Sequence, residues 1–466
     1  MNTTKVKSLI ENAYKKYYNT AFWIKNSEIL NERNKLLESK GVLSQDLQVE
    51  FVAPYPSVEP ILNVCKKFKA GEDVAKAVSK IIFDADYKSF KLRQHQAEAL
   101  ERSLRKSNEC NVVVTSGTGS GKTESFLLPI ITRIVMERLN KSAPDINRWW
   151  NKDWKPKSNW EGLRKGNQGN YDPAVRALIL YPTNALVEDQ ITRIRQASYR
   201  AKKINNNKPL FYFGRYTGGT PGGIYYPKHN EQLNVSKIRE QAKNMQQAES
   251  DARKLDHKNI ELRSQFSDPE CGEMMTRWDM IESPPDFLIT NISMLNVMLL
   301  RKNENNLFEK TKNWLEKSKK NIFTLVVDEL HSNRGTQGTE VSLIIRNLID
   351  RLGLNNKKDQ LRCIGTSASL EGEDGYEYIE QFFSVSKDSF TIFPGKALIP
   401  FYNSLFYLYL KNKNCDNLSK NFISDTKLNT NISYFTNLAN IYDPAPDDAL
   451  LKKLKSLFTE NIIETI

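Results

Sequence analysis

The ten residues from Val114 to Thr123 read Val-Thr-Ser-Gly-Thr-Gly-Ser-Gly-Lys-Thr, and they constrain the fold more than any other part of this chain. A β-rich run, Asn111 to Thr115, leads into them, and apolar residues at helical spacing follow from Glu124 to Leu139. A strand that turns through glycines into a helix brings backbone N–H groups and the positive end of the helix dipole to one point, which suits phosphate. Lys122 is placed to meet the outer phosphates of a nucleotide and Thr123 to hold Mg²⁺. Such a unit needs a parallel sheet to lie on.

The rest of the chain supplies one. Short β-rich runs at Asn111 to Thr115, Arg176 to Tyr181, Leu210 to Tyr216, Asp286 to Thr290, Phe323 to Asp328 and Arg362 to Gly365 alternate with longer amphipathic segments. That alternation predicts an α/β fold with helices on a parallel sheet, and ligands at the carboxyl ends of the strands. Phe323 to Val327 is apolar apart from Thr324, which suits a strand buried on both faces, and Asp328-Glu329 follows it directly. Side chains leave a strand end in opposite directions, so the two acids take separate tasks. Asp328 is expected to coordinate Mg²⁺ and Glu329 to polarise the attacking water.

Composition narrows the partners. The chain carries 68 Lys+Arg against 55 Asp+Glu, a net charge of +13. Such an excess fits either a polyanionic partner or a lysine-rich solvated surface. Five cysteines form no Cys-x-x-Cys pair, which predicts reduced, buried thiols in a cytoplasmic protein. The polar, lysine-rich start is no signal peptide, and no apolar run reaches membrane-spanning length.

The remaining phrases arrive in an order that resembles the superfamily 2 DEAD/DEAH-box helicases. Leu92-Arg93-Gln94-His95-Gln96 is similar to the adenine-reading segment, with Gln96 the implied base contact. Pro182, Thr183, Asn184 and Gln190, then Gly218-Gly219, then Thr290-Asn291, resemble the strand-gripping motifs. Their hydroxyls and amides would bond phosphate oxygens of a nucleic acid, which positions a strand without reading its sequence. Thr366-Ser367-Ala368-Ser369 resembles the Ser-Ala-Thr coupling motif, and the resemblance implies that His331 bonds across to Ser367 and Ser369. The phrases Thr276-Arg277-Trp278-Asp279-Met280 and Asp328 through Gly338 are most like large bacterial helicases of the MrfA-like type, including Druantia-type relatives.

The resemblance implies a RecA-like P-loop domain that uses ATP and Mg²⁺, with Ser116, Gly117, Thr118, Gly119, Ser120, Gly121, Lys122 and Thr123 as its phosphate loop. The expected organisation is a helical N-terminal region over 1–85, a helicase ATP-binding domain over 86–400, and an incomplete helical extension over 401–466. Insertions fall at about 140–171 and 225–275, the second holding the charged segment Ser236 to Ser264, expected as a helix crossing solvent. Arg148, Trp149, Trp150, Lys152, Trp154, Lys155 and Trp160 mix cations with aromatics, which suits either stacking on single-stranded bases or a satellite core. Arg362 is the last arginine in the sequence. A second RecA-like lobe, which in this superfamily donates arginines to the γ-phosphate, is therefore expected from a partner chain or a continuation. The sequence supports a motor lobe acting on nucleic acid, DNA by preference, with two alternatives: a nucleotide-gated binding module without unwinding, or a truncated motor.

Overall fold

Each of the six β-rich runs becomes a strand, and a seventh joins them. The strands are β1 (Asn111–Thr115), β2 (Ala177–Tyr181), β3 (Phe213–Tyr216), β4 (Phe287–Asn291), β5 (Phe323–Val327), β6 (Leu361–Ser367) and β7 (Phe390–Pro394). They form one sheet in the order β7-β1-β6-β5-β2-β4-β3, and every neighbouring pair is parallel. This is a computed structural model; it describes residues 3–395 apart from 40, 46–54, 106–108, 118, 165–170, 223–226, 230–231, 256–258, 334, 369 and 371. The expected extension over 401–466 lies outside the described residues.

Alternating side chains send each strand to two cores. On β2, Leu178 and Leu180 join one cluster while Ala177, Ile179 and Tyr181 join the other, and on β5 Leu325 and Val327 part from Val326 in the same way. The helices Lys122–Arg138 and Asn184–Ile204 cover one face, through residues such as Leu127, Ile131, Val187 and Ile191. The helices Thr336–Arg351 and Gly372–Phe383 cover the other, through Val341, Ile345, Ile379 and Phe383. Two-sided cover is why the central strands are rich in apolar residues on both faces.

The main unit runs Tyr55–Lys396. It therefore takes in the helices Ile61–Lys67 and Glu72–Ile82, which sequence reading had assigned to a separate N-terminal region. Their buried faces, including Ile61, Val64, Val78 and Ile81, belong to the same core as Leu127 and Ile131. The helices Thr3–Ala21 and Ser27–Leu37 lie in a second unit, and Asn26 caps the latter by accepting from Glu28 N–H and Ile29 N–H.

The tryptophan-rich insertion is neither a stacking surface nor a satellite core: its four tryptophans join the same core as Leu178 and Val327 of the sheet. Trp149 and Trp150 are fully buried, and Trp154 and Trp160 nearly so. Trp149 meets the other three rings edge-on at 5.8–6.3 Å. The helix Val235–Lys254 closes this core. Its buried residues Ile238, Ala242, Met245, Glu249 and Ala252 form one stripe, so it does not cross solvent as its charge suggested. Both indole donors find buried carboxylates: Trp150 Nε1 donates to Glu249 at 2.6 Å and Trp149 Nε1 to Asp279 at 3.0 Å. Asp279 also accepts from Leu163 N–H and the Thr276 hydroxyl, each at 2.8 Å. Trp149→Phe leaves a smaller ring in a fully buried site and removes one donor from a buried acid, so the lost hydrogen bond of about 1–3 kcal/mol and the void both lower stability in chemical denaturation. Single-strand affinity is expected to stay unchanged.

The amino ends of β2 and β4 are tied by a buried ion cluster. Asp286 accepts from Arg138 through two bonds of 2.7 Å, from Arg176 at 2.7 Å, from Arg164 at 3.3 Å and from Tyr212 N–H at 2.8 Å. The three guanidinium groups hold its carboxyl far below the usual range against the opposing effect of burial, while burial pushes Arg164 down to about 10.

Candidate nucleotide site and strand-binding edge

β1 ends at Thr115, and the chain turns through Ser116 to Gly121 into the helix Lys122–Arg138. Gly119 and Gly121 adopt φ of 73° and 80°. At Gly121 a Cβ would also sit 2.4 Å from Gln96 Nε2, so both conformation and space demand glycine there. The segment before the loop braces it. Arg93 Nη1 donates to the Gly119 carbonyl at 2.9 Å, His95 Nε2 to the Ser120 carbonyl at 2.8 Å and Gln96 Nε2 to the Gly121 carbonyl at 3.3 Å. The Ser116 and Ser120 hydroxyls bond each other at 2.6 Å, which gives the first loop position a structural task that glycine could not perform. Burial lowers the His95 pKa, in keeping with a neutral ring that donates to a carbonyl. Thr118 lies outside the described residues.

A cavity of about 710 Å³ opens in front of this loop, lined by Lys122, Thr123, Asp328 and Glu329 on one side and by Phe83 and Phe90 on the other. The two phenylalanine rings stand 4.5 Å apart. The space suits a small organic ligand with anionic groups. Gln96 lines the cavity, yet its oxygen accepts from Arg93 N–H at 3.1 Å and its nitrogen is held by Gly121, so here its amide braces the loop. Gln190, expected on the strand-gripping surface, lines this cavity instead. Leu186, Gln190 and Arg193 recur every three or four residues along the helix Asn184–Ile204 and share the face turned to it.

Asp328 and Glu329 follow β5 beside the loop. Lys122 Nζ lies 3.6 Å from Glu329 Oε1. Glu329 adopts φ 55° and ψ 49°, a left-handed conformation that a side-chain-bearing residue seldom holds without a functional or packing reason. Thr366, at the end of β6, donates to Asp328 Oδ1 and accepts from Glu329 N–H at 3.3 Å. Burial and the neighbouring Glu329 carboxylate push the Asp328 carboxyl up, against the hydrogen bond from Thr366. A cation beside it would reverse that shift. The Thr123 hydroxyl and the Asp328 carboxylate are hard oxygen donors facing one cavity, a set that fits Mg²⁺, and the lysine-bearing loop fits the phosphates of ATP.

His331 links the Asp328-Glu329 pair to the coupling motif through the Ala368 backbone. Its Nδ1 lies 3.3 Å from Ala368 N–H and 3.2 Å from Glu329 Oε2. Ser367 is fully buried, and its carbonyl accepts from Ser116 N–H at 3.3 Å, which links the coupling motif to the phosphate loop. Ser369 lies outside the described residues.

The other strand ends carry a different surface. β2, β4 and β3 are neighbours, and their carboxyl ends lead into Pro182-Thr183-Asn184, Asn291 and Gly218-Gly219. Thr183, Asn184, Gly218 and Gly219 are exposed, and Pro182 and Asn291 are partly so. Asn291 caps the helix Ile292–Leu300 by accepting from Met294 N–H at 2.6 Å, and donates to Asn184 at 2.6 Å. Gly218 and Gly219 have open space where a Cβ would stand and no left-handed φ, so among the described residues nothing requires glycine at either position. Thr290 departs from expectation: it is fully buried and its hydroxyl donates to the Tyr216 carbonyl at 2.5 Å, so its side chain supports the edge from beneath.

Thr366, Arg277, Arg93 and His95 are residues whose tasks sequence reasoning missed. Arg277 Nη2 donates to the Thr217 carbonyl at 2.6 Å and the Gly218 carbonyl at 3.3 Å, and its guanidinium lies 5.1 Å from the Tyr216 ring centroid. It holds the glycine pair in place. All four lie within the phrases that carry the resemblance, which was the only signal the sequence offered for them.

The fold is a RecA-like P-loop lobe, and residues 93–211 match the DEAD/DEAH box helicase family. The chain is 33% identical to the Druantia protein DruE of Escherichia coli (strain UMEA 4076-1), over 82% of this chain and 21% of that protein. It is 25% identical to the uncharacterized ATP-dependent helicase MJ1574 of Methanocaldococcus jannaschii, over 64% of this chain and 28% of that one. Among solved structures it is similar to the DUF1998 helicase MrfA bound to DNA, with 17% identity and a TM-score of 0.40, over 80% of this chain and 34% of the other. The chain thus spans between a fifth and about a third of the proteins it resembles.

Proposed function

We propose that this chain is the ATP-binding lobe of a helicase or translocase that couples ATP hydrolysis to movement on DNA. One observation carries the reading. A single sheet sets the nucleotide residues at the ends of β1, β6 and β5 and the open loops at the ends of β2, β4 and β3, and the two groups adjoin at the β5–β2 pair.

In this reading Lys122 binds the outer phosphates, Thr123 and Asp328 hold Mg²⁺, and Glu329 orients and polarises the attacking water. Bound MgATP supplies the phosphoanhydride bond and the metal charge that steadies its cleavage. Arg93, His95 and Gln96 keep the loop shaped for phosphate, and Thr366 holds Asp328 and Glu329 in register. His331, Ser367 and Ser369 relay the state of the site. Full turnover requires a second RecA-like lobe with its arginines, from a partner chain or a continuation, a contribution of about 10³–10⁵ in related nucleotide hydrolases. A cytoplasmic setting suits the buried cysteines Cys65, Cys110, Cys271 and Cys363, and among the described residues no helix is long and apolar enough to cross a membrane.

The pairing of Lys122 with Glu329 favours a second reading, a nucleotide-gated binding module in which the acid is engaged by the loop until ATP displaces it. Fluorescence anisotropy with labelled single-stranded DNA tests the strand edge. Gly218→Ala/Gly219→Ala is expected to weaken binding at least tenfold with the unfolding midpoint unchanged, since both sites have room for the added Cβ. A non-hydrolysable ATP analogue is expected to shift the wild-type affinity. Unaltered binding in the double variant would remove the strand edge from the account.

A further inference from the structure

A second cavity, of about 580 Å³, opens at the opposite end of the sheet, beside Thr324 at the start of β5 and Arg176 just ahead of β2. Arg133, Lys141, Arg176 and Lys320 bring four positive charges to its wall, and Glu137 is the one carboxylate. Arg176 and Glu137 neutralise each other through two bonds of 2.7 and 2.8 Å. Arg133, Lys141 and Lys320 then have no carboxylate within salt-bridge distance among the described residues.

Arg133 is the most exacting of the three. Its guanidinium donates to the Ser103 carbonyl, which Arg362 Nε also approaches at 3.4 Å, while Arg362 is otherwise held by the carbonyls of Arg105, Asp359 and Leu361. Two cations therefore meet at one carbonyl with no anion between them. Burial and the Arg362 charge push Arg133 down to about 9. Withdrawing a cation from water without an anion is costly, and a bound anion offsets that cost.

We propose that this cavity binds a small phosphorylated molecule, its phosphate groups held by Arg133, Lys141 and Lys320 and its organic body resting on Trp314, Ile130 and Ile134. Three unpaired cations call for a multivalent anion, and a phosphate monoester carries about −1.5 to −2 charge where a carboxylate carries one. The volume is that of a small-molecule site. Arg133 stands eleven residues along the helix from Lys122, about 16 Å along its axis, so this is not the nucleotide cavity.

Inorganic pyrophosphate is the probe, titrated by calorimetry into the Lys122→Ala chain so that the phosphate loop is disabled. Saturable one-site binding is expected, weakened at least tenfold when Lys141→Gln and Lys320→Gln are added. Both lysines are exposed, so the fold should tolerate their loss. No saturable binding in Lys122→Ala, or binding indifferent to the two glutamines in a chain with an unchanged unfolding midpoint, would overturn the proposal.

Discussion

Asp286→Asn is expected to remove about 3–5 kcal/mol of stability, because it leaves three buried guanidinium groups around a neutral amide. The replacement preserves shape and an acceptor for Tyr212 N–H, so nearly all of the loss is electrostatic. Arg138 comes from the helix after β1, Arg164 from the tryptophan-rich insertion and Arg176 from the start of β2. One carboxylate therefore ties an insertion to two elements of the sheet. Against a typical net stability of about 5–15 kcal/mol, the urea midpoint at pH 7 should fall steeply. Glu137→Gln should cost less, since Glu137 is partly exposed and its hydrogen bonds go to Arg176, which Asp286 also holds. The sign with pH follows from the depressed folded pKa: the wild-type contribution is complete above the unfolded value near about 4 and is lost as pH falls towards the folded one. The gap between wild type and Asp286→Asn should accordingly stay constant from neutral pH down to about pH 5 and narrow below it.

Glu329→Gln is expected to lower ATP turnover by about 10²–10⁴, the usual contribution of a positioned base, and to leave ATP affinity equal or tighter. The amide cannot polarise water, and it also frees Lys122 from the ion pair that competes with phosphate. Steady-state turnover and the equilibrium affinity for ATP separate the two effects. A variant that lost affinity and kept turnover would place Glu329 in binding and not in chemistry.

Much of the fold was legible because physics left little choice. β1, β2, β5 and β6 are buried along their whole length, and the mostly apolar β1, β2 and β5 show it in sequence, a pattern that only a two-sided sheet explains. β7 escaped because Phe390–Pro394 is a partly buried edge that ends in proline. The tryptophan-rich insertion advertised its residues but not their direction. That was set by Asp279 and Glu249, which lie 130 and 99 residues away from their indole partners. In the site, the loop and the acid pair could be read from local chemistry, since a glycine turn and a strand end position them. Gln190 and Thr290 could not. The first depends on helical phase and the second on which side of β4 its hydroxyl faces, and a motif gives neither.

The central claim, that Lys122 and its loop form an ATP site against Asp328 and Glu329, is tested most directly by equilibrium ATP binding to the purified chain and to Lys122→Ala, with and without Mg²⁺. The account predicts saturable, Mg²⁺-dependent binding to the wild type and its loss in a folded Lys122→Ala chain. Equal binding by both, or none by a folded wild-type chain, would contradict it.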